Sequence, residues 1–204
     1  MSALSPAFLL TAFIVCATPG IGVVYTLSVT LGGGARAGFW ATLGCTLATV
    51  FHLVVAMAGL AAVLHSSALL FQAVKYAGVA YLMWMAWAVL RAEGALRLDP
   101  GEGGAPARLV WRGIVLNLLN PKLPLFFMAF LPQFLPPDSG LAGLVVLGAG
   151  FTAMTFATFL LYVGLAAGGR ARLIASARLM AWMKRLFAAS FAALGVRLAL
   201  ERSG

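Results

Sequence analysis

The sequence predicts an all-α integral membrane protein with six transmembrane helices. These form two inverted three-helix repeats in which proline breaks the first and fourth helices. Of the 204 residues, 63% are hydrophobic and only 9% are charged, whereas apolar residues make up about 45–50% of ordinary globular proteins. Six apolar stretches reach the length of about 20 residues that a bilayer requires. Two of them contain an interrupting proline, Pro19 in the first and Pro121 in the fourth.

Short connections separate the predicted spans. The six spans are Ala7–Ser28, Ala37–Leu64, Ala68–Leu90, Leu109–Leu135, Leu141–Ala167 and Met180–Leu200. Gly32–Gly34 and Pro136–Gly140 are typical of tight connections, because glycine and proline favour turns. The sixth span is the weakest, since Lys184, Arg185 and Arg197 shorten its apolar part.

A single transmembrane domain is expected over residues 1–204. Repeat 1 covers about 1–91, a polar linker about 92–108, and repeat 2 about 109–204. The dipeptide Leu43-Gly44 of the second span recurs as Leu147-Gly148 in the fifth, and the two proline interruptions also correspond. Three spans per half is an odd number, so the second half lies inverted in the membrane.

Basic residues predict the orientation of the chain and no nucleic-acid partner. The formal charge is +9, but the basic side chains are spread over short segments between apolar spans. Such residues orient a chain and contact anionic headgroups of the lipid bilayer. They concentrate in the first, third and fifth connections, which places those connections in the cytoplasm and both termini outside. Arg202 alone argues against this orientation.

The tripeptide Asn120-Pro121-Lys122 lies inside a stretch that is otherwise apolar. Proline removes a backbone donor and breaks or kinks a helix. A broken helix at membrane depth is tolerated only where protein or a wet cavity satisfies its backbone groups. A lysine at such a break indicates a functional site, although a lysine that snorkels to the interface is the simpler alternative for Lys122. Pro19 and Gly20 are expected to open the first span in the same way.

An ordered set of motifs resembles the LysE/RhtB family of amino-acid exporters across nearly the whole chain. The motifs are Ala17-Thr18-Pro19-Gly20, Gly34-Ala35-Arg36-Ala37-Gly38, Leu43-Gly44, Lys75-Tyr76-Ala77-Gly78-Val79-Ala80-Tyr81-Leu82, Asn117-Leu118-Leu119-Asn120-Pro121-Lys122 and Phe130-Leu131-Pro132-Gln133-Phe134. The resemblance implies a small carrier of the bacterial inner (plasma) membrane. It also implies export of amino acids or close derivatives, coupled to the proton gradient.

The chain departs from this family at two places. In the second span the family often has a second glycine followed by an acid or another polar residue, where this chain has Ala48 and Thr49. The acid is typical of members that handle lysine or arginine, so its absence argues against a cationic substrate. In the sixth span, Ala188 stands where the family has a glycine.

The distribution of acids favours a substrate with a neutral side chain, such as threonine, homoserine or leucine. All five acids lie in connections or at the C-terminal end, and a buried cation without a partner is unfavourable. The α-carboxylate of an amino acid is expected to meet Lys122 and amides freed at the helix breaks. Its ammonium is expected to meet carbonyls released by Pro19 and Pro121. Asn120 either contacts the substrate or only satisfies the backbone at the kink.

Four further residues are candidates for the transport path. His52 lies in the middle of the second span and is a candidate proton carrier, since imidazole changes charge near neutral pH. A hydrogen-bonded packing histidine is an equal alternative. Lys75 either contacts substrate or snorkels. Thr49 and Tyr81 are polar groups that can line a cavity.

Other functions are weighed against export. A membrane thiol-redox carrier is one alternative, since Cys16 lies just before the Pro19 break, but the second half has no cysteine to partner it. Export of another small solute and a non-transporting subunit are two more. No cofactor or metal is expected, because His52, His65 and the cysteines form no ligand cluster, and nothing indicates an enzyme. A bundle of this size is compatible with a homodimer.

Overall fold

The computed structural model describes residues 4–18, 20–64, 68–91, 103–119, 123–124, 127, 130–135, 139–169 and 176–200. These residues form helices and no strand, which confirms the predicted all-α class. The α-helices are α1 Pro6–Ala17, α2 Ile21–Leu64, α3 Ala68–Arg91, α4 Pro106–Leu118, α5 Gly140–Ala167 and α6 Ala177–Leu200. A 3₁₀ turn covers Leu131–Phe134.

The first predicted span consists of two helical pieces. The Ser5 hydroxyl accepts a hydrogen bond from the Phe8 amide at 3.2 Å and caps α1. The helix stops after Ala17, because Thr18 is extended with φ −72° and ψ 122°, and α2 begins at Ile21. The interruption therefore falls where the sequence predicts it, although Pro19 itself lies outside the described residues.

Helix α2 turns back on itself at Gly34. This residue has φ +75° and ψ −177°, a conformation that only glycine adopts readily, and it separates the segments 21–33 and 35–64. The two segments run side by side, since Thr26 Oγ1 lies 4.0 Å from Cys45 Sγ and a Cβ on Gly38 would overlap Thr30 Oγ1. The predicted tight connection at Gly32–Gly34 is thus the apex of a helical hairpin.

Helix α4 begins at Pro106, three residues before the predicted start of the fourth span and inside the predicted linker. Proline is favoured in the first helical turn, because its missing amide has no partner there in any case. The helix ends at Leu118. The break predicted at Asn120-Pro121 lies outside the described residues.

Two helical stretches of the described part of the chain are long and apolar enough to cross a membrane, Gly140–Ala167 and Ile21–Gly59, of which the second includes the turn at Gly34. Helix α2 packs against α4 and α5, α3 packs against α6, and α1 lies against α5 and α6. The largest core cluster lies where these helices meet. Its fully buried aromatic side chains are Phe8, Phe127, Phe130, Phe187 and Phe191.

Candidate functional site

A cavity of about 80 Å³ lies at the interruption between α1 and α2. It is small beside ordinary ligand pockets, which start at about 300 Å³. Residues from α1, both segments of α2, α4, α5 and α6 contribute to its wall. The lining residues are Val15, Cys16, Thr18, Gly20, Ile21, Gly22, Val23, Thr49, Asn117, Leu123, Phe151, Thr155, Phe159 and Phe191.

One side of the cavity is polar and uncharged. Asn117, 5% exposed, donates through Nδ2 to the Gly113 carbonyl at 3.2 Å. Thr155 Oγ1 donates to the carbonyl of Phe151 at 2.9 Å and lies 3.3 Å from Cys16 Sγ. These bonds hold the polar side chains in place, so the cavity offers hydroxyl, thiol and amide groups in fixed positions.

The other side of the cavity is apolar. Phe151 and Phe159 lie four residues before and after Thr155, on one face of α5. Leu123 and Phe191 complete this wall. Among the described lining residues none carries a charge.

The first turn of α2 borders the cavity, and its leading amides have no acceptor within the helix. Val24 N donates to the Gly20 carbonyl at 3.0 Å and closes the first turn. The amides of Ile21, Gly22 and Val23 therefore have no acceptor within the helix. A Cβ on Gly22 would lie 2.9 Å from Asn117 Oδ1 and 3.2 Å from the Phe159 ring, so glycine brings this turn close to Asn117.

Two side chains satisfy carbonyls next to the cavity. The phenol of Tyr162 on α5 donates to the carbonyl of Ala17, the last residue of α1. His52 Nε2 lies 3.0 Å from the carbonyl oxygen of Asn117 near the end of α4. Because a carbonyl only accepts, the Nε2–H of His52 must donate in this contact. Each of these two carbonyls thus receives a hydrogen bond from a side chain of a neighbouring helix.

The structure places four of the predicted site residues. Gly20 and Thr49 line the cavity. The Thr49 hydroxyl donates to the Cys45 carbonyl at 3.1 Å. His52 is buried behind the wall and reaches the cavity only through Asn117. Tyr81 is half-buried on α3, packs beside Trp84 and does not line the cavity.

The remaining predicted residues are not placed. Pro19, Asn120, Pro121 and Lys122 lie outside the described residues, and Lys75 belongs to α3 without a described side chain. Their proposed roles remain predictions. None of the five acids lies in the described part of the chain, and within that part no group of three or more His, Cys, Asp or Glu side chains is able to hold a metal ion. Both cysteines are free and buried.

Sequence reasoning missed Asn117 and Thr155 as site residues. Asn117 stands between Leu116 and Leu118 and precedes the Asn120 break by less than one helical turn, so a polar residue in an apolar run was its available signal. Thr155 carries a weaker signal, because α5 also contains Thr152 and Thr158. Which of these threonines faces the cavity depends on how α5 packs.

A helical membrane protein whose interrupted helix borders a small polar cavity has the architecture of a secondary transporter. The family model of the LysE type translocator matches residues 13–202. The chain therefore belongs to the LysE type translocator family, which confirms the resemblance found in the motifs.

Relatives among characterised and uncharacterised proteins agree with this membership. An uncharacterized membrane protein of Vibrio cholerae is 32% identical over 202 residues, which cover 97% of both chains. The homoserine/homoserine lactone efflux protein of Salmonella typhimurium is 31% identical over 207 residues, 96% of both chains. The leucine efflux protein of Enterobacter sp. (strain 638) is 30% identical over 132 residues, 63% of this chain and 62% of that protein. No solved structure matches the chain.

Proposed function

We propose that this protein exports a small amino acid or amino-acid derivative with a neutral side chain across the bacterial inner membrane, in exchange for protons. The observation that carries the proposal is the cavity at the α1–α2 interruption, which combines the first turn of a helix, uncharged polar groups and an aromatic wall. The names of two relatives, a homoserine/homoserine lactone efflux protein and a leucine efflux protein, support the same substrate class.

Each part of an amino acid has a matching group in this proposal. The α-carboxylate accepts hydrogen bonds from the first amides of α2, at the positive end of the helix dipole. Lys122 is proposed as its second partner. The ammonium donates to carbonyl and hydroxyl oxygens of Thr18, Thr49 and Asn117. A neutral side chain lies against Phe151 and its neighbours. A cationic side chain would lack a carboxylate partner on the described wall and would be desolvated without compensation.

The backbone opens at two places to make this site. Pro19 and Gly20 interrupt the first span, and Asn120 and Pro121 interrupt the fourth; the two halves then rock against each other to give alternating access. The packing supports two inverted repeats. If each helix of the first half (α1–α3) is replaced by its counterpart in the second half (α4–α6) and the reverse, the α2–α4 contact becomes the α5–α1 contact, and both are present. The α3–α6 contact is unchanged by the same exchange. Both termini face outside in this arrangement.

Proton coupling is assigned to His52 acting through Asn117. The imidazole binds the carbonyl of the residue whose side chain lines the cavity. A change in its charge therefore alters a bond at the end of α4, next to the substrate. Lys75 and Tyr81 are kept as secondary candidates that line the path in another state of the transport cycle.

Export from amino-acid-loaded cells or inverted vesicles tests the proposal. The panel holds leucine, threonine, homoserine, cysteine and lysine, each with and without a protonophore, and compares the wild type with Lys122→Ala. We expect efflux of one neutral amino acid that the protonophore and Lys122→Ala both abolish. Lysine efflux, or no efflux from protein present in the membrane, would contradict the proposal.

Thiol labelling tests the location of the site without measuring transport. Cys16 lines the cavity, whereas Cys45 packs against Thr26 and the Gly22 carbonyl and is not part of the wall. In a Cys45→Ser background the exported amino acid should slow the reaction of Cys16 with a small membrane-permeant thiol reagent. In the matched Cys16→Ser background the labelling of Cys45 should not respond to substrate. Equal protection of both thiols would rule out this cavity as the binding site.

A further inference from the structure

A second concave surface lies on the side of α4 that faces away from the cavity. Gly113 packs on the second segment of α2, and Asn117 lines the cavity. At 3.6 residues per turn, Trp111 and Val115 lie on the opposite side of α4, and Arg112 and Leu116 lie on the flank between the two sides. The groove has a volume of about 480 Å³. We call it the α2–α4 groove, lined by Tyr25, Ser28, Val29, Trp111, Arg112, Val115 and Leu116.

The walls of the α2–α4 groove are fixed relative to each other. The Tyr25 hydroxyl donates to the Leu109 carbonyl at 2.8 Å and ties the first segment of α2 to α4. Val29 and Leu109 are buried together in one core cluster just beneath the groove. The packing of α2 against α4 therefore fixes the shape of the groove.

The chemistry of the groove changes along α4. Arg112 and Trp111 stand at one end, and both are exposed, Trp111 to 65%. One turn further along, Val115 and Leu116 present an apolar surface. A cation and an amphipathic indole followed by apolar side chains match the sequence of headgroup, interface and acyl chain in a bilayer leaflet.

The positive charge at this end has no protein partner in the described part of the chain. Arg108 lies one turn before Arg112 on the same face of α4, and both guanidinium groups are exposed. Neither forms an ion pair or hydrogen bond with another described residue, where no acid is found. Guanidinium binds phosphate oxygens through two parallel hydrogen bonds and is favoured over ammonium for that reason.

We propose that the α2–α4 groove binds an anionic phospholipid of the surrounding bilayer. Its phosphate lies between Arg112 and Arg108, with the Ser28 hydroxyl as a further donor, and one acyl chain lies over Val115 and Leu116. The charge of the two arginines selects an anionic lipid over a zwitterionic one. A lipid held here braces the back of the helix whose last turn carries Asn117.

Fluorescence quenching in lipid vesicles tests this proposal independently of transport. The Trp111 signal is the difference between the wild type and Trp111→Phe, each reconstituted in vesicles that contain a small fraction of lipid with brominated acyl chains. We expect brominated phosphatidylglycerol to quench this signal about fivefold more efficiently than brominated phosphatidylcholine. Arg112→Gln should reduce the preference, and the double variant Arg108→Gln, Arg112→Gln should remove it.

A matched control and a competitor decide between the possible occupants. Arg178, an exposed arginine at the start of α6, serves as the control, and Arg178→Gln should leave the preference unchanged. Equal quenching by the two lipids in the wild type, or a preference that survives in the double variant, would overturn the proposal. Loss of the preference on addition of inorganic phosphate, at an ionic strength kept constant with chloride, would assign the groove to a soluble anion and would also overturn it.

Discussion

The last turns of α1 and α4 both end in carbonyl oxygens that lack a donor in the helix, and a different type of side chain supplies the hydrogen bond at each end. Each helix stops beside the cavity and leaves carbonyl oxygens without partners in its own backbone. At α1 the phenol of Tyr162 donates to the Ala17 carbonyl. At α4 the imidazole of His52 donates to the Asn117 carbonyl at 3.0 Å. Only the second donor belongs to a residue type that changes charge near neutral pH, which is the reason for proposing proton coupling at this helix end.

The two helices also differ in how they pack against their neighbours. Helix α4 packs on α2 through glycines that face backbone: a Cβ on Gly44 would overlap the Val110 carbonyl, and one on Gly113 would lie 3.0 Å from the Ala41 carbonyl oxygen. Helix α1 packs on α5 through side chains, where the neighbours of Gly150 are the side chains of Leu4 and Phe8. Side chains yield to a small shift and backbone does not. The contact between α4 and α2 is therefore more rigid than the contact between α1 and α5.

The largest effect is expected where a glycine of the contact between α4 and α2 is replaced. Gly44→Ala places a methyl group against the Val110 backbone, so one helix must move and the protein should lose about 3 kcal/mol of stability. This corresponds to a fall of about 10 °C in the melting temperature. The temperature at which half of the detergent-solubilised protein leaves the monodisperse peak in size-exclusion chromatography measures the change.

Gly148 provides the matched control, because it occupies the corresponding Leu-Gly dipeptide of the second half. Its added Cβ would lie 3.6 Å from Met57 Sδ and 3.9 Å from Leu53, which are ordinary contacts with flexible side chains. Gly148→Ala should change the same temperature by less than about 2 °C. Equal losses in both variants would show that the loss in Gly44→Ala does not come from the backbone contact with Val110.

Replacement of His52 should have the next largest effect. His52→Ala leaves the Asn117 carbonyl buried without its donor, at a cost of about 2 kcal/mol. His52→Gln keeps an N–H donor and should recover most of that stability. Stability alone does not reveal coupling, so export by the glutamine variant must also be measured. The measurement runs from about pH 5.5 to about pH 8, the range in which histidine side chains in general change charge. Export that loses its pH dependence in a stable His52→Gln protein supports proton coupling, and an unchanged pH profile refutes it.

Much of the fold follows from local chemistry in the sequence, whereas the site follows only partly. Prolines mark the interruption before Ile21 and the start of α4, and Gly34 marks the hairpin apex, because each residue type restricts or frees the backbone locally. The donors at the two helix ends carry no such signal. Their acceptors are backbone carbonyls, which every residue has, so the partners of His52 and Tyr162 depend on tertiary packing.

Removal of the other donor should have a smaller effect. Tyr162→Phe keeps the ring in place and leaves the Ala17 carbonyl without its hydrogen bond, so we expect a loss of about 1 kcal/mol. The same thermal measurement detects this change. Because a phenol does not titrate near neutral pH, the pH profile of export should retain its shape. A shifted profile in this variant would mean that both helix ends take part in proton coupling.

The smallest effect on stability is expected at Gly20, where the first interruption opens into the cavity. A Cβ there meets nothing within 4 Å, so Gly20→Ala should change stability by less than about 0.5 kcal/mol. The added methyl group instead occupies part of a cavity of about 80 Å³. Export of leucine, the larger substrate, should therefore fall more than export of homoserine when both are measured in the same loaded cells. A parallel fall for both amino acids would indicate that Gly20 serves the backbone conformation alone, and the cavity would then lie outside the path of the substrate side chain.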